Sequence, residues 1–143
     1  MKVADIMRHP PITILASASV PEAAAQMRAG HVGCLGVLEN GRLVGVITDR
    51  DIVMRAVVGG ERAMRLRVRD VMSPEVLFCS DRQRVEDAAA ALGDHQVRRL
   101  PVCDARARLV GMLSVDRIAE EYSEHLAGET LGEIVETRLG PRP

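Results

Sequence analysis

The most chemically suggestive stretch is Thr48-Asp49-Arg50-Asp51, where an apolar run, Leu43 to Thr48, gives way to the start of a helix. A carboxylate in the first turn, as at Asp51, can accept hydrogen bonds from both hydroxyls of a ribose-like sugar. The Thr48 hydroxyl can reach the sugar or a phosphate, and a helix N-terminus favours an anion. The same residues also read as a plain helix cap with a charged first turn, and the two roles are compatible. Farther on, Arg98-Arg99 sets two guanidiniums side by side. Such a pair suits phosphate, or simply solvent beside an edge strand.

Other chemistries find little support. His9, His31, His95 and His125 are dispersed, and none makes the i,i+4 pair of a helical zinc site. No metal and no catalytic residue is expected. Cys34, Cys79 and Cys103 lack C-x-x-C spacing, which points to reduced thiols in a cytoplasmic protein. Cys34 follows Gly33, but no histidine can be paired with it as in a nucleophilic site. It reads as a small buried apolar residue.

Composition narrows the classes further. The chain has 143 residues, 47% hydrophobic and 27% charged, enough for a packed core. Phe78 and Tyr122 are the only aromatics, too few for a binder that stacks bases of a single strand. Nineteen Lys+Arg against twenty Asp+Glu leave a net charge of −1, without the basic excess of a nucleic-acid binder. Lys2 is the only lysine, so the cations are almost all arginine. No apolar run reaches the length of a membrane span, and the start, Met1-Lys2-Val3-Ala4-Asp5, lacks a signal-peptide stretch. The expectation is a cytoplasmic protein with neither membrane nor nucleic acid as partner.

The elements that must hold these residues are written twice. Val3-Ala4-Asp5-Ile6-Met7 returns as Val68-Arg69-Asp70-Val71-Met72, about 65 residues later. Val20-Pro21-Glu22-Ala23-Ala24-Ala25 returns as Val85-Glu86-Asp87-Ala88-Ala89-Ala90, and Leu43-Val44-Gly45-Val46-Ile47-Thr48 as Leu109-Val110-Gly111-Met112-Leu113-Ser114. Each copy predicts a short helical turn, then a brief strand (Ile12 to Ile14, Val76 to Phe78). An Ala-rich amphipathic helix follows (20–29, 85–94). A pair of strands comes next, joined in the first copy through Asn40-Gly41, a strong hairpin signal. A closing helix (49–58, 115–126) ends each copy. The fold class is α/β: two tandem β-α-β-β-α units, residues 1–60 and 68–127, with a connector at 61–67. Neither unit is large enough to bury a sheet face alone, so sheet-to-sheet packing about an internal pseudo-twofold is expected. Residues 128–143 are expected to form a C-terminal helix and tail, with Leu131, Ile134, Val135 and Leu139 on one face.

This ordered duplication resembles the tandem cystathionine-β-synthase (CBS) domain pair, or Bateman module. Three features carry the resemblance: Asp-Ile/Val-Met opening each repeat, Leu-Pro-Val after a basic pair, and Gly-x-x-Thr/Ser before an Asp-bearing helix. It covers about residues 3–125, and the protein looks like a stand-alone bacterial-type pair, a group that includes small hypoxia- or stress-response proteins. Members commonly bind adenosine nucleotides in clefts between the repeats. The resemblance implies a first cleft of Val46, Thr48 and Asp51 with Val76, Leu77, Arg98 and Arg99. These offer an apolar wall and main chain for adenine, a carboxylate for ribose and two guanidiniums for phosphate. A second cleft would take Met112 and Ser114 with Ile12, Thr13, Gly33 and Cys34. There the pattern is broken, because Arg117 stands where the first repeat has Asp51, and Gly33-Cys34 replace the basic pair.

The implied function is a non-catalytic regulatory module that senses energy or stress through an adenine nucleotide, AMP, ADP or ATP, with no cofactor required. S-adenosylmethionine is the alternative ligand. The rival reading is a ligand-free structural or protein-interaction module. A homodimer is expected through the helices after Thr48 and Ser114, whose apolar residues (Ile52, Val53, Ala56, Val57, Ile118, Ala119) exceed one stripe. A regulated partner protein is also implied.

Overall fold

The computed structural model describes residues 1–74 and 77–139, and the side chains of 136–139 lie outside the description. Two compact units form, Pro11–Val76 and Met1–Pro10 with Leu77–Pro143. Each has its own three-stranded sheet and its own aliphatic core.

In the Pro11–Val76 unit, β1 (Thr13–Leu15) runs parallel to β2 (Cys34–Glu39), which pairs antiparallel with β3 (Arg42–Thr48). The β2–β3 turn is Asn40-Gly41, with φ of 52° and 75°. Positive φ at both positions matches the right-handed strand twist, and Asn-Gly takes it with least strain. Helix α2 (Val20–Gly30) starts where the Ser19 side chain accepts from the Glu22 N–H at 3.2 Å. It buries Val20, Ala23 and Met27 against Leu35, Val37 and Ile47.

After β3 comes α3 (Asp49–Asp51), a π-helical turn (Ile52–Ala56) and a 3-10 segment (Val57–Arg65) kinked at Gly60. The sequence predicts one regular helix over 49–58. The helix loosens because only Asp51, Ile52 and Ala56 of 49–65 are buried, so packing imposes little regularity, and Gly59-Gly60 ends it. Helix α4 (Val68–Val71) completes this unit: the Val68 and Arg69 N–H groups donate to the carbonyls of Ala18 and Ala16 at 2.8 and 3.0 Å. Val46 and Ser73 exchange both backbone hydrogen bonds. A Cβ on Gly45 would stand 2.5 Å from the Ser73 carbonyl oxygen, so this approach requires glycine.

The other unit repeats the plan. Its sheet has β4 (Cys79–Ser80), β5 (Arg99–Cys103) and β6 (Leu109–Ser114), with α5 (Val85–His95) between β4 and β5. The strand predicted at Val76 to Phe78 is displaced: pairing with β5 begins at Cys79, while Leu77 and Phe78 are unpaired and exposed. Val76 lies outside the described residues. Helix α1 (Val3–Ile6) belongs here, although it opens the first repeat in sequence. Val3 and Ala4 donate to the carbonyls of Gln83 and Asp81, both at 2.9 Å, and Arg8 exchanges backbone bonds with Met112. The opening helices are thus exchanged between the repeats.

Helix α6 (Val115–Glu121) breaks at Tyr122, and α7 (Glu124–Leu139) starts afresh with the Ser123 hydroxyl accepting from the Leu126 N–H at 3.1 Å. The sequence predicts one helix to 126 and another after Gly128, and the break comes earlier. Ala127, Thr130 and Ile134 of α7 are buried. Leu131 and Val135 are partly exposed, and the Leu139 side chain lies outside the described residues.

Candidate functional site

The candidate residues gather at one end of each sheet. In the Pro11–Val76 unit, Cys34 pairs with Thr48, and the Gly33 carbonyl accepts from the Asp49 N–H at 2.9 Å. Ile12 and Thr13 enter the same sheet end through β1, where the Ile12 carbonyl accepts from Gly36. Val46 lies two residue pairs back along β3, opposite Gly36.

Thr48 and Asp51 form a reciprocal cap. The Thr48 N–H donates to Asp51 Oδ2 at 3.0 Å, and the Asp51 N–H donates to Thr48 Oγ1 at 3.1 Å. Asp51 is 9% exposed, and its Oδ1 lies 3.9 Å from Arg55 Nε. A carboxylate has about four acceptor sites, and the cap uses one of them. The helix-cap role is therefore realised, and it orients a buried acid that retains acceptors for hydroxyl donors. Arg55 is held in turn by the carbonyls of Val71 and Met72, at 3.2 and 3.3 Å from Nη1.

In the other unit the matching turn keeps the cap but not the acid. Ser114 Oγ accepts from the Arg117 N–H at 3.0 Å. Arg117 Nε donates to the Ile6 carbonyl at 2.7 Å, and Nη1 lies 3.6 Å from Glu120 and 3.5 Å from Glu121. A guanidinium has donors only, and here they serve to hold α1. Beside this turn, Arg99 pairs with Ser114, the Arg98 carbonyl accepts from the Val115 N–H at 3.0 Å, and Met112 pairs with Pro101. Arg98 is exposed and Arg99 half-buried. Leu77 precedes β4 in this unit.

Each unit by itself therefore brings together one capped turn and one β-strand entrance: Thr48 and Asp51 beside Gly33-Cys34, and Ser114 and Arg117 beside Arg98-Arg99. The residue sets implied by the sequence each draw on both units. Two contributors escaped the sequence reading. Asp49 sets its carboxylate where a side chain on Gly33 would go, 2.7 Å from an ideal Cβ. An acid thus stands at the place where the other repeat carries Arg98. No local signal announces this contact, because the β2–β3 pairing brings Asp49 to Gly33. The Ile6 carbonyl on Arg117, 111 residues away, had no signal at all.

The three cysteines are buried. Burial, reinforced by nearby Cys103, pushes the Cys79 thiol up to about 12, and burial raises Cys103 as well. These are inert positions, since the reactive form is the thiolate. Among the described residues no group of three or more His, Cys, Asp or Glu is placed to hold a metal ion, and no helix is long and apolar enough to cross a membrane.

Two β-α-β-β-α repeats, each with a capped turn between its last strand and its closing helix, define a tandem-repeat α/β fold. The CBS domain family model matches residues 3–57 and 68–124, and the chain belongs to the CBS domain family. It is 35% identical over 133 residues to the CBS domain-containing protein YhcV of Bacillus subtilis, covering 92% of this chain and 94% of that protein. Among solved structures it is similar to the CBS domain pair of protein MJ0100 in complex with 5′-methylthioadenosine and S-adenosyl-L-methionine. There the TM-score is 0.77 at 25% identity, over 87% of this chain and 98% of the other. It is also similar to CBSX2 in complex with AMP, with a TM-score of 0.71 and 28% identity over 87% and 97%.

Proposed function

We propose that this CBS pair binds an adenine nucleotide, AMP or ATP, and signals its occupancy as a cytoplasmic regulatory module without catalysis of its own. The reading gives the ribose hydroxyls to Asp51, with Thr48 beside it, and the phosphates to Arg98 and Arg99. Val46, Val76 and Leu77 are assigned to the adenine. The observation that supports it most is the buried Asp51 carboxylate, fixed by the Thr48 cap and still holding spare acceptors. The adenosine-containing ligands of the similar structures support this ligand class. Buried thiols without C-x-x-C spacing suit a reducing compartment.

Occupancy of the second set, Ile12, Thr13, Gly33, Cys34, Met112, Ser114 and Arg117, is not part of this proposal. Arg117 cannot accept a hydroxyl proton, and Asp49 beside Gly33 opposes a phosphate. Thermal-shift measurements with AMP, ADP, ATP and S-adenosylmethionine test the reading. A ligand that binds only the folded chain adds about 2.7 kcal/mol at about 100 times its Kd. No shift with any of the four would favour the ligand-free interaction module.

A further inference from the structure

Asp51 and Arg117 hold the same place in their repeats, and so do Arg55 and Glu121, one helical turn later. Both are ion pairs at i,i+4 spacing: Arg55 Nε lies 3.9 Å from Asp51 Oδ1, and Arg117 Nη1 lies 3.5 Å from Glu121 Oε1. The signs are exchanged. The carbonyls that the two guanidiniums reach are equivalent as well. Arg117 Nε donates to the Ile6 carbonyl at 2.7 Å, and Arg55 Nη1 donates to the Val71 carbonyl at 3.2 Å. Ile6 and Val71 end α1 and α4, where no further helical turn supplies an N–H. Each unit therefore meets the same open carbonyl with a guanidinium, but from positions one turn apart.

That difference decides what the capped turn can offer. In one unit Arg117 is itself the clamp, so its position presents donors only. In the other the clamp sits on Arg55, and position 51 is left to a carboxylate. Asp51 is then fixed from two sides, by the Thr48 N–H on Oδ2 at 3.0 Å and by Arg55 beside Oδ1. Arg55 also donates to the Met72 carbonyl at 3.3 Å. The next residue, Ser73, exchanges backbone bonds with Val46 at 2.9 and 3.1 Å. One guanidinium thus joins the acid to the segment that borders β3 at Val46.

We propose that Arg55 is a positioning residue of the nucleotide site. It takes over the clamp that Arg117 provides in the other repeat, and so lets position 51 carry an acid set to receive two neighbouring hydroxyls. The Asp51–Arg55 pair is the charge-exchanged form of Arg117–Glu121, and it favours a ribose over a 2′-deoxyribose. The part played in ligand selection rests on the ribose reading above.

Denaturant melts, with titrations of AMP and 2′-deoxy-AMP, test this. Arg55→Leu should weaken AMP about tenfold and shrink the preference for AMP over 2′-deoxy-AMP. Arg55→Lys, which keeps the charge but not the planar fork, should fall between that variant and wild type. An arginine that only braced α4 would lower stability and leave the preference unchanged, which would overturn the positioning role. Asp51→Arg with Arg55→Glu should melt above Arg55→Glu alone, because the clamp returns from position 51, yet lose AMP. Arg117→Asp with Glu121→Arg should likewise melt above Arg117→Asp alone. Double variants no more stable than these single ones would overturn the clamp exchange. A wild type without affinity for AMP would instead defeat the ribose reading and Arg55's part in it, while the melts would still judge the clamp.

Discussion

The Thr48 N–H donates to Asp51 Oδ2 at 3.0 Å while the Asp51 N–H donates to Thr48 Oγ1 at 3.1 Å. The second repeat keeps only half of that exchange, from the Arg117 N–H to Ser114 Oγ at 3.0 Å. One side chain at the same helical position thus decides whether the turn offers acceptors or donors.

This cap changes what an Asp51 variant measures. Asp51→Ala strips the Thr48 N–H of its partner, so it should lower apo stability by about 1 kcal/mol besides removing the hydroxyl acceptor. Asp51→Asn keeps a carbonyl oxygen for Thr48 and turns NH2 donors toward the sugar. It should melt near wild type and lose the nucleotide-induced shift. Equal apo melting of Asp51→Ala and wild type would show that the cap contributes nothing.

Arg117 is a structural clamp. Its bond to the Ile6 carbonyl ties α1 to α6, so Arg117→Ala should destabilise the chain by about 1–2 kcal/mol. Arg117→Lys should restore only part of this, since a lysine ammonium lacks the planar fork. Denaturant melts of the three chains would check it, with an Arg117→Ala chain as stable as wild type counting against the clamp.

Gly45 and Gly111 are the closest approaches in the exchange of opening segments. A Cβ on Gly111 would stand 2.6 Å from Met7 Sδ and 2.9 Å from the Arg8 carbonyl oxygen, mirroring Gly45 and Ser73. Alanine at either should cost about 1–3 kcal/mol, because backbone must move. Gly128→Ala, which meets nothing within 4 Å, should be neutral or stabilising in chemical denaturation.

The sequence already displayed the duplication, and with it both Ala-rich helices: 20–29 and 85–94 were expected, Val20–Gly30 and Val85–His95 are found. Those helices are legible because alanine content and a 3.6-residue apolar period act locally. The exchange of α1 and α4 is not legible, because Ile6 and Val71 carry the same local pattern whichever core receives them. The loosened helix after Asp51 was hidden for a related reason. Ile52, Val53, Ala56 and Val57 have a helical period, but only Ile52 and Ala56 are buried in the core of their unit, while Val53 and Val57 are exposed. At the site, Thr48 and Asp51 were visible from their types alone, while Asp49 over Gly33 needed the sheet to bring it there.

Cys79 gives a pH dependence with a definite sign. Its thiol, ordinarily at 9.0, rises to about 12 through burial first and Cys103 second, and it donates to the Pro101 carbonyl. Above about pH 9 the unfolded chain releases this proton while the folded chain keeps it, so stability falls between about 9 and 12. Cys79→Ala or Cys79→Val should flatten that part of the stability profile. In the native protein at pH 8 a thiol reagent should leave Cys79 unmodified until denaturant is added.

The most direct test of the central claim is calorimetric titration of AMP or ATP into wild type, Asp51→Asn and the Arg98→Glu, Arg99→Glu double variant. Wild type should saturate near one nucleotide per chain. Asp51→Asn should weaken binding about tenfold or more, and the arginine reversal should weaken it further the more phosphates the nucleotide carries. Binding to Asp51→Asn at wild-type affinity, or two equivalent sites per chain in wild type, would contradict the account.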